Sequence, residues 1–312
     1  MGAMRRHVPA PPYLLLALAT LFWSGNFVLG RAVSARIPPV GMAFWRWAGA
    51  LAVLLPLSYP RLKEQWPLLR GSWKTVVPLG ILGVGSFNTL VYVGLHDTTA
   101  TNAVLLNSAC PAFIAGVTFL IRGQRATRRQ GTGILVSLLG VATIVGRGAP
   151  QTLLSLSFNP GDLWVLTAVL CWAVYTVLLG RRPEGIHPMA FLTVLVGVGV
   201  AWLAPLYAVE IVRGGRMTPD AVTFGSLAYL ALLPSLASYV FWNQAVGEVG
   251  PTRAGAFLHL MPAFGSLLAV LLLGESFRLY HLLGIGLILA GVTLAGGAAK
   301  PGPPGRGGGA SG

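Results

Sequence analysis

Apolar residues in this chain gather into long runs broken by short polar stretches. Ten runs stand out, at about 13–30, 39–58, 75–95, 100–121, 130–146, 161–179, 188–209, 222–246, 252–273 and 279–296. Crossing a hydrocarbon core takes roughly 20 helical residues, so each run approaches or reaches membrane length. Only helices and closed barrels satisfy their backbone groups in lipid. The runs lack the strict apolar/polar alternation of barrel strands, so helices are predicted.

The pattern is also written twice. At an offset of 149, Leu14 meets Leu163, Trp23 meets Trp172, Val28 meets Val177 and Pro39 meets Pro188. After a two-residue slip the offset becomes 151, pairing Thr101 with Thr252, Pro111 with Pro262, Phe113 with Phe264 and Gly140 with Gly291. Each copy holds five runs. Duplicating an odd number of spans leaves the second copy upside down, a plan shared by many secondary transporters. The predicted fold is therefore an all-α polytopic membrane protein: ten transmembrane helices as two inverted five-helix repeats (5+5) around a central cavity. The expected divisions are an N-terminal segment 1–12, a first repeat 13–147, a connector 148–160, a second repeat 161–297 and a disordered tail 298–312.

Composition sharpens this reading. The 312 residues are 54% hydrophobic and only 10% charged, with a net charge of +14. Soluble domains carry about a quarter charged residues. The excess of Lys and Arg does not read as a nucleic-acid footprint. In the first half, Arg5, Arg6, Arg61, Lys63, Arg70, Lys74, Arg122, Arg125, Arg128 and Arg129 fall on one side, with only Arg31 and Arg36 opposite. The positive-inside rule then predicts both termini in the cytoplasm of a cell (inner, plasma) membrane, with the basic residues touching lipid headgroups. Arg5 and Arg6 ahead of an apolar run resemble a signal peptide, but that run matches 161–179 and is read as a structural helix. Cys110 and Cys171 lie within runs and are read as packing residues.

All eight acidic residues fall in loops or at the ends of runs. Carriers driven by protons or sodium usually keep an embedded carboxylate, so an uncoupled facilitator is favoured. The alternative is proton coupling through His259, the ionisable side chain well inside a span. Arg46 sits some seven residues into the second run. Binding of a substrate carboxylate is one reading of it, and snorkelling to the interface or bonding to helix carbonyls is the favoured one.

The other polar groups form helical stripes. Ser235, Tyr239 and Asn243 recur at every fourth position, as do Asn88 and Tyr92 in the equivalent run, where the Asn/Tyr order is swapped. Thr252, His259 and Ser266 share a face, and Ser108 is the repeat equivalent of His259. Asn26 is the equivalent of Tyr175. The predicted solute-binding residues are Asn26, Asn88, Tyr92, Ser108, Trp172, Tyr175, Tyr239, Trp242, Asn243 and His259. Amides, hydroxyls and rings together suit a small zwitterion with an apolar body. Pro111 and Pro262 are the candidate hinges, since a mid-helix proline removes a backbone bond and bends the helix. Gly133, Gly140, Gly284 and Gly291 read as close-packing positions.

Three blocks carry a family resemblance: LFWSGNFVLGRAVSARIPPVGMAFWRWAGA at 21–50, the TTATNAVLLNSACPAF block from 98, and GPTRAGAFLHLMPAFGSLLAVLLLGES from 250. The chain resembles the drug/metabolite transporter superfamily, specifically its ten-helix EamA-type exporters. Within these it is most similar to the YddG-type exporters of aromatic and neutral amino acids. The resemblance implies an inner-membrane exporter or facilitator whose partner is a small solute, an amino acid. One departure is Gln124, which stands where the second copy has Glu275. No cofactor, metal site or catalytic group is predicted. A membrane enzyme would need an embedded nucleophile with its base, or a His/carboxylate cluster. A passive channel is a third class, and the oligomeric state is left open, a monomer included.

Overall fold

The computed structural model describes residues 11–155, 159–183, 185–273 and 276–296. The N-terminal segment to residue 10, the middle of the connector and the predicted disordered tail lie outside the described residues. Within them the chain is helical and contains no strand. The segments are α1 (Pro12–Ala32), α2 (Pro39–Gly71), α3 (Trp73–Asp97) and α4 (Ala100–Asn107, then Cys110–Arg122), followed by α5 (Arg128–Val145). After a helical turn at Pro150–Leu154 come α6 (Pro160–Arg181), α7 (Pro188–Val212) and α8 (Ala221–Val249). Next is α9, made of Pro251–Ala256, a 3-10 turn Phe257–His259 and Leu260–Leu273, and last α10 (Leu279–Gly296). Seven of these are long and apolar enough to cross a membrane: α2, α3, α4, α6, α7, α8 and α10.

Local chemistry explains the boundaries. Pro39, Pro160, Pro188 and Pro251 each open a helix, where a missing N–H costs nothing and the fixed φ is already helical. Asp220 caps α8 by accepting from the Thr223 amide at 2.8 Å. Thr127 with Gln130 forms a capping box on α5, and at the start of α6 the Asp162 carboxylate accepts from the Asn159 amide at 3.0 Å. Gly123 and Gly250 end α4 and α8 at φ 66° and 84°, conformations that favour glycine.

Two departures from expectation concern helix length and the prolines. The second run is expected to stop at 58, yet α2 has 33 residues and runs on to Gly71 through Pro56, Pro60 and Pro67. At ~1.5 Å per residue this is about 50 Å, more than a bilayer core, so its exposed basic end projects beyond it. Gln65 on that projection bonds the α6–α7 loop, giving to the Gly185 carbonyl and accepting from the His187 amide. The prolines in α4 and α9 do not sit mid-helix. Pro111 is the second residue of a new helix after a break at 108–109, and Pro262 follows the 3-10 turn of α9. A proline ring clashes with the carbonyl four residues earlier, so the disruption falls on its N-terminal side.

Packing is reciprocal between the halves. α3 lies on α6, and α8 on α1; α2 packs on α7, α4 on α9 and α5 on α10. The α5–α10 seam depends on glycine: a Cβ on Gly291 would sit 2.4 Å from the Ser137 amide nitrogen, and one on Gly140 2.6 Å from the Gly284 carbonyl. The perimeter carries exposed Leu57, Leu135, Leu139, Leu282 and Leu289, a surface suited to lipid rather than water. Two π-helical segments interrupt α3 at Gly80–Ser86 and α8 at Ala231–Ala237. They are separated by the repeat offset of 151 residues. Such segments often mark functional positions.

Candidate solute-binding site

At the centre is a narrow void lined by Trp23, Asn26, Phe87, Asn88, Asn107, Trp172, Tyr239, Leu258 and Met261. Six of these are three repeat-equivalent pairs: Trp23 with Trp172, Asn88 with Tyr239, and Asn107 with Leu258. Water has about 20 Å³ of space there, enough for a molecule or so. Ligand pockets usually run ~300–1,000 Å³, so this conformation is closed around its centre.

The aromatic wall is built on Trp172. Its ring lies 5.2 Å from Trp23 edge-on, 5.1 Å from Tyr175, 5.5 Å from Tyr239, 5.7 Å from Trp242 and 4.9 Å from Phe87. The π segments join this wall at equivalent carbonyls. Trp23 Nε1 donates to the Pro234 carbonyl at 2.8 Å, and the Tyr239 hydroxyl to the Gly83 carbonyl at 2.5 Å. Gly83 tolerates no side chain, because a Cβ would meet the Tyr175 ring at 2.4 Å. The indole N–H groups of Trp172, Trp242 and Trp47 are buried without a partner.

Behind the wall is Arg46, fully buried. Its Nε donates to Ser235 Oγ at 2.8 Å. Its Nη1 donates to Asn26 Oδ1 at 2.9 Å, Asn88 Oδ1 at 3.0 Å and the Tyr92 hydroxyl at 2.6 Å. Tyr92 in turn donates to Asn26 Oδ1 at 2.7 Å. Nη2 has no partner. The guanidinium also lies 5.3 Å from the Trp47 ring centre. The snorkelling reading of Arg46 is thus corrected. Four side chains within reach replace the solvation that snorkelling would seek, and hold the charge inside the bundle. The ion pairs among the described residues are Arg36–Asp220 and Arg61–Glu64, so no carboxylate balances it.

The predicted residues fall into three groups. Asn26, Asn88 and Tyr92 gather on Arg46, while Trp172, Tyr175, Tyr239, Trp242 and Asn243 form the aromatic side. There the Tyr175 hydroxyl donates to Asn243 Oδ1 at 2.7 Å. This is the repeat equivalent of the Tyr92–Asn26 bond with the two residue types exchanged, which explains the swapped stripe. Ser108 and His259 stand apart from the void lining. Ser108 Oγ bonds back to the Val104 carbonyl, and His259 bridges three helices, with Nε2 2.7 Å from the Ser108 carbonyl and Nδ1 2.5 Å from Ser137 Oγ. The break before Pro111 frees that carbonyl: Ala112 turns its amide to Ala109 instead. Sequence reasoning missed Trp23, Trp47, Phe87, Asn107, Leu258 and Met261 as site residues. The Trp23/Trp172 match was the available signal for the first, and the amide of Asn107 beside Ser108 for another; Phe87, Leu258 and Met261 carry no polar mark.

A lipid-facing helical perimeter around a closed, two-sided polar-aromatic centre defines a multi-pass integral membrane transporter. The chain matches the EamA-like transporter family over residues 10–146 and 159–297 and belongs to it, within the drug/metabolite transporter superfamily. The two matched blocks correspond to the two repeats. It is 28% identical over 290 residues to the uncharacterized transporter YyaM of Bacillus subtilis, covering 92% of this chain and 94% of that one. It is 29% identical to a probable terminal-alkyne amino-acid exporter of Streptantibioticus cattleyicolor, over 89% and 91% of the two chains. It is 24% identical to a probable amino-acid metabolite efflux pump of Salmonella typhimurium, over 90% and 93%. One solved crystal structure superposes with a TM-score of 0.73 at 19% identity, covering 91% of this chain and 96% of that chain, a likeness of fold. Family and relatives are transporters, not enzymes.

Proposed function

We propose that the protein exports or equilibrates small amino acids and related metabolites, aromatic and neutral ones foremost, by alternating access. Ten helices cross the membrane as two inverted five-helix repeats with both termini in the cytoplasm, as in YddG-type exporters. The observation that carries this reading is the composition of the void, whose wall is assembled from equivalent positions of both halves. A site on the pseudo-symmetry axis lets one half open while the other closes around the same ligand. The chain breaks beside Pro111 and Pro262 are the flexing points, and the paired π segments let α3 and α8 bend with them. The relatives named as amino-acid exporters support the solute class.

Transport is uncoupled in this reading. His259, the residue a proton-coupled alternative would use, is held on both ring nitrogens by protein groups and braces α4 and α5. The test is radiolabelled phenylalanine and methionine flux into proteoliposomes with and without a pH gradient. Saturable flux indifferent to the gradient is expected. A gradient-driven flux that loses its response in His259→Ala would establish the coupled alternative instead.

A further inference from the structure

We propose that the void takes its solute by a carboxylate, received by N–H donors that Arg46 orients from behind. This rests on the transport reading above and names the group on the solute that the site recognises.

The donor set follows from hydrogen-bond logic. Arg46 Nη1 and the Tyr92 hydroxyl both give hydrogens, so the atoms they meet on Asn26 and Asn88 are the amide oxygens. The amino groups of both amides therefore turn away from the guanidinium, and both side chains line the void. The Tyr239 hydroxyl beside them gives its hydrogen to the Gly83 carbonyl. Trp172, another residue of the lining, adds a buried indole N–H that has no partner. Tyr239 is the one hydroxyl of the lining, and its hydrogen is already committed.

Charge completes the argument. A cation buried in a membrane protein is costly and is normally paired. Arg46 has four neutral partners, an orphaned Nη2 and, among the described residues, no carboxylate. Donors facing a small void, with an uncompensated positive charge one hydrogen bond behind them, lack a single complement: an anionic acceptor. A monocarboxylate fits better than a phosphate, because one cation balances one charge and, apart from the Asn107 amide, the remaining lining (Trp23, Phe87, Leu258, Met261) is apolar. An apolar or aromatic body then packs on the rings.

The test uses full-length protein in lipid nanodiscs with radiolabelled L-phenylalanine, 3-phenylpropionate and phenethylamine. These present respectively both charged groups, the carboxylate alone and the amine alone. The two acids are expected to bind at least tenfold more tightly than the amine. Asn26→Asp is the decisive variant. It places a permanent counter-ion on Arg46 and turns a donor into an acceptor, so acid binding should fall at least tenfold while the protein stays monodisperse. Should that variant fail to fold, Trp172→Phe tests the same idea, since it removes a donor that has no bond to lose. Phenethylamine binding as well as the acids, or acid affinity unchanged in both variants, would overturn the carboxylate site and leave the transport reading standing. Binding of none of the three would overturn the amino-acid reading together with it.

Discussion

Trp23 and Trp172 occupy equivalent positions of the two halves, face each other at 5.2 Å, and differ in one bond. Trp23 Nε1 donates to Pro234, whereas Trp172 Nε1 donates to nothing. Replacing each by Phe is thus the same chemical change with and without loss of a hydrogen bond. Both rings are nearly buried, at 2% exposure for Trp172 and 8% for Trp23, so the packing losses are similar and the hydrogen bond sets the difference. Side-chain hydrogen bonds inside membrane proteins contribute on average about 0.6 and at most about 1.7 kcal/mol. Removing the donor also leaves a π-segment carbonyl with one partner fewer in apolar surroundings. Trp23→Phe should therefore be the more destabilising by about 1 kcal/mol, roughly fivefold in the folded-to-unfolded ratio. Reversible unfolding in lipid or mixed micelles measures both variants on one scale. Equal losses, or a greater loss at Trp172, would refute the hydrogen-bond assignment. The functional expectation runs the other way: Trp172→Phe should weaken solute binding more than it weakens the fold.

Three other outcomes are expected. Gly140→Val puts atoms onto the Gly284 backbone at 2.6 Å, forces α5 and α10 apart, and should cut the yield of folded protein severely; wild-type thermal stability in detergent would contradict the seam. Asp220 lies outside the spans, and the Thr223 amide, aided by Arg36, holds its carboxyl below the usual range. Because its folded pKa is depressed, its stabilising effect is present above the unfolded pKa and lost as pH falls through the folded one. Asp220→Asn should therefore lower the unfolding temperature at pH 7 and have little effect at acid pH, checked by melting curves at both; a loss independent of pH would point to packing instead. Ser235→Ala removes the acceptor of Arg46 Nε by deleting a single oxygen and should slow or bias transport without abolishing folding; flux identical to wild type would show that this bond has no role in the cycle.

Much of the architecture is legible from periodicity, because membrane length and repeat register both leave marks on apolar residues. The Asn/Tyr stripes were legible as faces, and their exchange between copies is now explained by two bonds of the same kind, Tyr92–Asn26 and Tyr175–Asn243. What the sequence hid depends on partners far along the chain. Arg46 reads as an isolated charge until Asn26, Asn88, Tyr92 and Ser235 from three other helices converge on it. The length of α2 was hidden because its prolines and basic residues imitate a loop, while its last third is held from outside by Gln65 and the α6–α7 connection. The π segments have no composition that announces them: one contains three glycines, the other a proline and a serine.

The departures from symmetry bear on mechanism as much as the symmetry does. By the repeat offsets, Arg46 corresponds to Leu195 and Ser235 to Val84, all four buried or facing a buried contact. One half therefore fastens its second helix to the other half's π segment with a charged hydrogen bond, and where α7 packs on the π segment of α3 the equivalent residues, Leu195 and Val84, are apolar. In the alternating-access reading the two end states arise when the halves exchange conformations. A lock present on one side alone makes those states unequal in energy. In the carboxylate reading, the same asymmetry sets one cation and not two behind the site, which matches a single anionic group. An empty carrier must hold that cation without a counter-ion, and the four neutral acceptors and donors around Arg46 are the means of doing so. A bound carboxylate relieves this condition, so the solute itself lowers the electrostatic cost of moving the charge through the closed state.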